Sequence, residues 1–277
     1  MLQITALMDD ILSGRRGLTA EHGLSLYVRY ENRRILFDCG AGANPLRNAH
    51  ALGIDLSGLD AVVLSHSHYD HAAGFRNLTE QGLGSPTLYT GPCFFEPKYA
   101  QSGILYTNLS AGFDPAFLKA HGICHREVTS VEEPFPGVYL VGGFPRVYPF
   151  EQIPPRFVRQ TPSGLQADDF ADEICMALEI RDGLAVLVGC SHPGILNMMS
   201  HVGNVLGKPV KAVFGGTHLA EADEKRIDTT IRHLADLGLE ILGLSHCSGE
   251  KAECAIGSHP TVRGCHLGAG DCVFFDE

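Results

Sequence analysis

Positive charge is what this 277-residue chain has least of: 21 Lys and Arg stand against 32 Asp and Glu, a formal charge of −11. The basic residues nowhere gather into a patch, so the electrostatic footprint of a nucleic-acid binder is missing and no such partner is expected. Long apolar runs are missing too. None approaches the ~18 residues of a membrane span, and the opening MLQITALMDD carries Asp9 and Asp10 where a secretory signal carries basic residues. The expectation is a cytoplasmic chain with no membrane contact. Its nine cysteines, at 39, 93, 124, 175, 190, 247, 254, 265 and 272, are odd in number and never take a CxxC spacing. They read as free thiols in a reducing compartment rather than as a disulfide framework. Low-complexity tracts are absent, and with 44% hydrophobic residues the chain can bury one large core. A single α/β domain spanning residues 1–277 follows.

Strand and helix signals alternate along the chain. Residues 24–30 and 34–37 read as two strands about the Glu31-Asn32 turn, and 61–64 as a buried strand. Between about 86 and 157 the pattern loosens into prolines, glycines and aromatics, with one short helical candidate at 115–120. This insert is expected to cover the site rather than to build a sheet. Regular order returns from residue 184: strand LAVLVG, helix ILNMMSHVGNVLG, strand VKAVFGG, helix EKRIDTTIRHLADLG, strand LEILGLS, then a helix starting near Ser248. In the second of these helices Ile227, Ile231, Leu234 and Ala235 share a face, and Gly238 is a fitting stop.

One stretch concentrates chemistry. LSHSHYDHAAG places His66, His68, Asp70 and His71 within six residues at the end of the apolar run 61–64. Three imidazoles and a carboxylate there would repel one another if protonated, and would cost desolvation energy if buried neutral without partners. A metal is the simplest compensation. The donor set suits zinc, iron or manganese, and the lack of a thiolate quartet points to a catalytic rather than a structural ion. The strand period of two sends His66 and His68 to the same side, and a turn returns Asp70 and His71 from a helix start, so one segment feeds two neighbouring metals. Three late strands also end in histidine-bearing turns: GCSHPG with His192, GGTHL with His218 and LSHCSG with His246. Sites in α/β sheets gather at the carboxyl ends of strands, so these turns and the first segment can share one place. Two metals ~3.5–4 Å apart can share a hydroxide, lower its pKa towards ~7 and steady the leaving oxygen of an ester or phosphoester. Isolated histidines such as His22 and His266 read as ordinary surface or core residues.

SHSHYDH resembles the HxHxDH signature of the metallo-β-lactamase superfamily, and the upstream ILFDCGAG resembles that superfamily's first motif. The resemblance implies a four-layer αββα sandwich with a dinuclear centre on one edge. It implies that His66 and His68 bind the first metal with His192, and that Asp70 and His71 bind the second with His246. Asp38 would orient one of the ligating imidazoles, the alternative being a turn residue before Gly40 and Gly42. AEHGLSLYV, GCSHPGILN, VFGGTHL and LSHCSGEKA together resemble one branch, whose named member is a pterin-joining synthase of methanopterin biosynthesis and whose other members are described only as metal-dependent hydrolases. The superfamily's bridging aspartate, from a GD turn, has no counterpart here. Gly189-Cys190 stands in its place, so Cys190 is either a thiolate ligand or a small buried thiol beside the site. His218 is either a further ligand or, as favoured here, an imidazole that protonates a leaving group.

Substrate contacts are expected from Ser248, Gly249 and Lys251 at a helix start, with plain capping by Ser248 as the alternative, and from Arg146 in GFPRVYPFE. Phe94, Phe95, Tyr99 and Tyr106 either stack on a flat ring or form local core. The leading expectation is a dinuclear metal hydrolase acting on a small phosphorylated or cyclic ester, with Asp70 and His218 catalytic. Its two divalent ions would be zinc first, with Fe2+ or Mn2+ as substitutes. A transferase that joins a pterin-like substrate and releases diphosphate is the alternative. A non-catalytic metal-binding relative is a third class, disfavoured by the intact His/Asp set.

Overall fold

The structure is a computed structural model that describes residues 1–84 and 86–275. Two seven-stranded sheets face each other. The first runs Cys272–Phe275, Leu2–Met8, Ser25–Tyr30, Arg33–Phe37, Ala61–Val63, Thr87–Thr90, His125–Glu127 from edge to edge. The second runs Arg263–His266, Ile241–Leu244, Val210–Gly215, Gly183–Val188, Ile174–Ile180, Val138–Gly142, Val131–Phe135.

Alternation along the strands builds the layers. Leu26, Val28, Ile35 and Phe37 meet Met176, Leu187 and Phe214 of the opposite sheet, whereas Tyr27 and Leu36 turn outward to a helical layer. In the second sheet Ala185 and Leu187 point inward, and Leu184, Val186 and Val188 pack on the helices Ile195–Leu206, Glu224–Asp236 and Glu250–Gly257. Helix, sheet, sheet, helix is therefore the layer order, the four-layer sandwich. Strands covered on both faces read as unbroken apolar runs, which is why LAVLV and AVVL carry no alternation of their own. Burying a side chain such as Phe214 stabilises the core by ~1.5–3 kcal/mol. Its ring lies so close to Gly243 that a Cβ there would stand 2.3 Å from Phe214 Cδ1, so Gly243→Ala would wedge the two strands apart.

Each sheet has a parallel half. Arg33–Phe37, Ala61–Val63 and Thr87–Thr90 are parallel in the first, and Gly183–Val188, Val210–Gly215 and Ile241–Leu244 in the second. The turns after these strands carry the histidines. The hairpin about Glu31, the strand at 61–63 and the late strand–helix units lie where sequence pattern put them, to within two residues at most ends. Asp223 caps the helix Glu224–Asp236 by accepting from the Arg226 amide, and Ile227, Ile231 and Leu234 form its buried face.

The insert differs from expectation. Residues 86–157 do build sheet: Thr87–Thr90 and His125–Glu127 extend the first, and Val131–Phe135 and Val138–Gly142 the second. Lys98–Ser102 and Leu105–Asn108 join Phe157–Thr161 and Gly164–Ala167 in a third, four-stranded sheet beside the site. His125–Glu127 and Val131–Phe135 are the edges of the two large sheets, Thr87–Thr90 and Val138–Gly142 lie one strand in, and the rest belong to the small sheet. Leu105–Asn108 is exposed throughout, so no core face impresses a period on its sequence.

Candidate metal centre

The first sheet releases its motif into a tight turn. After Ala61–Val63 the chain passes Leu64 and Ser65, and His68 precedes the one-turn helix Tyr69–Ala72 that carries Asp70 and His71. His66, His68, Asp70 and His71 are all buried. His192 lies after Gly183–Val188, and its backbone N–H, like that of Ser191, donates to the buried Glu173 carboxylate (2.9 and 2.6 Å). His246 follows Ile241–Leu244. Glycines let the strand ends approach: a Cβ on Gly189 would stand 2.1 Å from Ser65 Oγ.

Two adjoining ligand sets result. Ring nitrogens of His66, His68 and His192 lie within 4.8 Å of one another, and so do ligating atoms of Asp70, His71 and His246. His66 and His71, with ring centroids 4.3 Å apart, bring the sets side by side. Cys190 belongs to the junction, its Sγ 3.1 Å from His71 Nε2 and within the same span of His66. Asp38 sits behind His71, accepting from its Nδ1 at 2.7 Å and from the amide and hydroxyl of Ser65 (2.7 and 2.8 Å). That bond turns His71 Nε2 toward the second set.

The chemistry of these donors fits metal. His66 Nε2, His68 Nε2 and both ring nitrogens of His192 are buried with no hydrogen-bond partner among the described residues. Orphaned polar atoms in a protein interior are rare because each forfeits a hydrogen bond without compensation. Burial pushes the pKa of all three imidazoles well below the usual value, which leaves them neutral with lone pairs free. At the second set burial opposes charge on His246, yet the Asp10 and Asp70 carboxylates hold its pKa well above the usual value. A cluster that retains a proton so firmly is one that favours a cation.

The site opens into a cleft of ≈ 410 Å³ walled by Tyr69, Leu109, Phe157 and His218, with Arg156 and Glu221 at its rim. Among the described residues Arg156 is the only Lys or Arg lining it, and both its Nη atoms reach Glu221 (2.8 and 2.6 Å). A larger cleft of ≈ 530 Å³ near Tyr148 and Met199 has no His, Cys, Asp or Glu among the described residues of its walls.

Four residues expected to meet the substrate lie elsewhere. The Ser248 hydroxyl is buried and used within its turn, donating to the Ser245 carbonyl at 2.8 Å and accepting from Thr217. Lys251 is exposed on the helix Glu250–Gly257, and Gly249 is that helix's N-cap. Arg146 donates to the Asp169 carbonyl. None of the four lines the cleft. Phe94 and Phe95 pack with Phe113 as local core, and Tyr99 and Tyr106 face each other on the small sheet.

Other groups had no sequence signal. His22 Nε2 lies 3.2 Å from Asp70 Oδ2, and its Nδ1 2.9 Å from Asp10. Asp9 receives the His246 amide at 2.7 Å and faces His266 Nε2 at 2.8 Å. Beneath the first set Lys98 is buried between Asp172 (2.5 Å) and Asp168 (3.0 Å), 4.6 Å above the Phe170 ring, which stacks on His192 with centroids 3.8 Å apart. Backbone conformation is also unusual here. Asp38, Phe170, Ser191, His218 and His246 all take positive φ, between 49° and 59°.

Comparison with known proteins agrees with this architecture. The family described as the metallo-beta-lactamase superfamily matches residues 18–82. The 7,8-dihydropterin-6-methyl-4-(beta-D-ribofuranosyl)-aminobenzene-5'-phosphate synthase of Methanocaldococcus jannaschii is 30% identical over 267 residues, covering 91% of this chain and 89% of that one. The chain belongs to the metallo-β-lactamase superfamily, on the branch that resembles this synthase. Among solved structures, a metal-dependent hydrolase of the β-lactamase superfamily superposes over 100% of both chains with a TM-score of 0.86 and 27% identity. Zn2+-bound PqqB from Methylobacterium extorquens shares the fold, with a TM-score of 0.57 and 13% identity over 99% of this chain and 100% of its own.

Proposed function

We propose that the protein is a dinuclear metal-dependent enzyme that hydrolyses a small phosphorylated or cyclic phosphoester. The observation that carries the reading is the convergence of four orphaned, buried imidazole nitrogens from His66, His68 and His192 beside the Asp70, His71 and His246 cluster. Two divalent ions held there, zinc first, would supply a water with its pKa lowered towards ~7 and an offset to charge on a departing oxygen. Every other contribution comes from the chain. His66, His68 and His192 would hold one ion, and Asp70, His71 and His246 the other, with Cys190 at the junction. Asp38 keeps His71 in one tautomer and Glu173 holds the turn that carries His192. His218, whose ring centroid lies 4.5 Å from that of His192, would give a proton to the leaving oxygen. Arg156 takes the substrate's phosphate, since Arg146, Ser248, Gly249 and Lys251 do not line the cleft.

In the cleft the carboxylates of Asp10, Asp70 and Glu221 are met by the Arg156 guanidinium and by the imidazoles of His22 and His246, which hydrogen bonds to those carboxylates keep protonated. The net charge of −11 argues against a nucleic-acid substrate. The nine cysteines are free, in keeping with a cytoplasmic setting, and no helix among the described residues is long and apolar enough to cross a membrane.

Elemental analysis together with turnover of bis(p-nitrophenyl) phosphate and cyclic nucleotides tests the proposal. About two zinc, iron or manganese ions per chain with turnover are expected, and a metal-free, inert protein would refute it. The extent of the match to the methanopterin-pathway synthase favours a second reading, a transferase that joins a pterin to an aromatic amine with release of diphosphate. Two metals without phosphoester turnover, and diphosphate released only when both substrates are offered, would select it.

A further inference from the structure

One thiol at the centre has no role in the scheme above. Cys247 lines the same cleft as Cys190 and His246, and ligating atoms of the three lie within 4.8 Å of one another. We propose that Cys247 is itself a metal ligand, so that Cys190, Cys247 and His246 give the second site a sulfur face; this rests on the metal reading of the centre and on no particular substrate.

The backbone is shaped to deliver it. Consecutive residues of a strand point to opposite sides, so His246 and Cys247 could not both reach one cleft if the strand Ile241–Leu244 simply continued. His246 instead takes φ 49° and opens a single 3-10 turn, His246–Ser248, which sends both side chains the same way. Room for the sulfur is made opposite. A Cβ on Gly216 would stand 2.6 Å from Cys247 Sγ and 2.5 Å from the Gly189 carbonyl, so only glycine admits a sulfur at this place. The His218 amide then donates to Cys247 Sγ at 3.3 Å, an orienting contact of the sort that metal-bound thiolates receive from nearby N–H groups. Cys190 is shared, since its sulfur also falls within the span of His66 and His71. Two soft donors change what the site selects. Thiolates favour zinc, cobalt or ferrous iron over manganese, which His and carboxylate donors alone accept about as well.

Spectroscopy with Co2+ as the only added metal reads sulfur ligation without any assay of activity. Reduced, metal-free full-length protein loaded with Co2+ is expected to show sulfur-to-cobalt charge-transfer absorption in the near ultraviolet. Cys247→Ser loses roughly half of it, the double variant Cys190→Ser/Cys247→Ser loses all of it, and Cys254→Ser, on the exposed face of a helix, loses none. A full-strength band in Cys247→Ser overturns the inference. The unmodified protein supplies a second measurement that does not depend on variants folding. Zn2+ should protect Cys247 from alkylation, read by peptide mass, while Cys254 reacts with or without metal. Equal alkylation of Cys247 in both states also overturns the inference. Ligand-field bands without any sulfur band would leave the metal centre standing and remove Cys247 from it, whereas no cobalt signal of either kind would refute the metal reading itself.

Discussion

Replacing Lys98 by methionine keeps the volume of the side chain and removes its charge from beneath the metal centre. Lys98, Asp168 and Asp172 are almost wholly shielded from solvent, with side-chain exposures of 2%, 1% and 1%. Burial alone would lower the lysine's pKa, but the two carboxylates outweigh it and raise it, so the triad holds its cation. Removing one partner of a buried ion pair leaves the other uncompensated and costs ~3–5 kcal/mol. For a chain of this size about 2–4 °C of melting temperature goes with each kcal/mol, so a fall of roughly 6–20 °C is expected. Thermal unfolding followed by circular dichroism, with chelator present, measures it. The deficit should shrink as the pH is lowered from about 8 to about 5, because in the variant an unpaired buried carboxyl has a raised pKa and sheds its penalty on taking up a proton. Zinc affinity should fall as well: Asp172 accepts the amide of Ser67, between His66 and His68, and Phe170 links Lys98 to His192. A loss of stability below ~1 kcal/mol, independent of pH, would show that this triad does not brace the site.

Asp38→Asn should weaken zinc binding by ~10–100-fold in competition with a chelator, since an amide cannot accept at once from His71 Nδ1, the Ser65 amide and the Ser65 hydroxyl; unchanged affinity would detach Asp38 from the centre. Arg156→Gln should raise KM for a phosphorylated substrate by roughly 10–100-fold with little change in kcat, the worth of one charge-assisted hydrogen bond made in the ground state. Glu221→Gln should lower KM by freeing the guanidinium, and a matching rise in both variants would contradict the assignment. His266 has its pKa raised from 6.5 to about 9, chiefly by its hydrogen bond to Asp9. Its folded value exceeds the unfolded one, so its contribution to stability is complete below about 6.5 and is lost as the pH rises through about 9. The melting temperature should therefore fall over that window in the parent and less in His266→Gln, and parallel curves would refute the linkage.

The layers and the histidine cluster were legible in the sequence for one reason. Strands buried on both faces and ending in histidine turns advertise themselves locally: AVVL before His66, LAVLVG before His192 and LEILGLS before His246 each combine an apolar run with a histidine at its end. The edge strands of the insert were illegible because exposed residues such as those of Leu105–Asn108 need no period. The same distinction separates the groups of the site that were seen from those that were missed. His22, Asp9 and Asp10 come from the loop after Leu2–Met8, where no spacing marks them, and only sheet pairing sets them against Asp70 and His246. Ser248 and Lys251 looked like an anion site because sequence cannot show that a hydroxyl is already bonded within its own turn. Arg156 stayed hidden after two prolines, in a segment whose place at the cleft depends on the third sheet.

Of the seven non-glycine residues with positive φ among the described residues, Asp38, Phe170, Ser191, His218 and His246 are at the centre or against it. Each such conformation costs on the order of 1–3 kcal/mol for an ordinary side chain, and the surrounding packing must impose it. Selection for heat resistance alone would therefore settle on these positions first, exchanging them for glycine or asparagine and dissolving the constellation that the sandwich holds in place. Lineages that keep both endurance and chemistry must gain their stability elsewhere, in the two sheets and their helical covers, and leave the strained turns as they are.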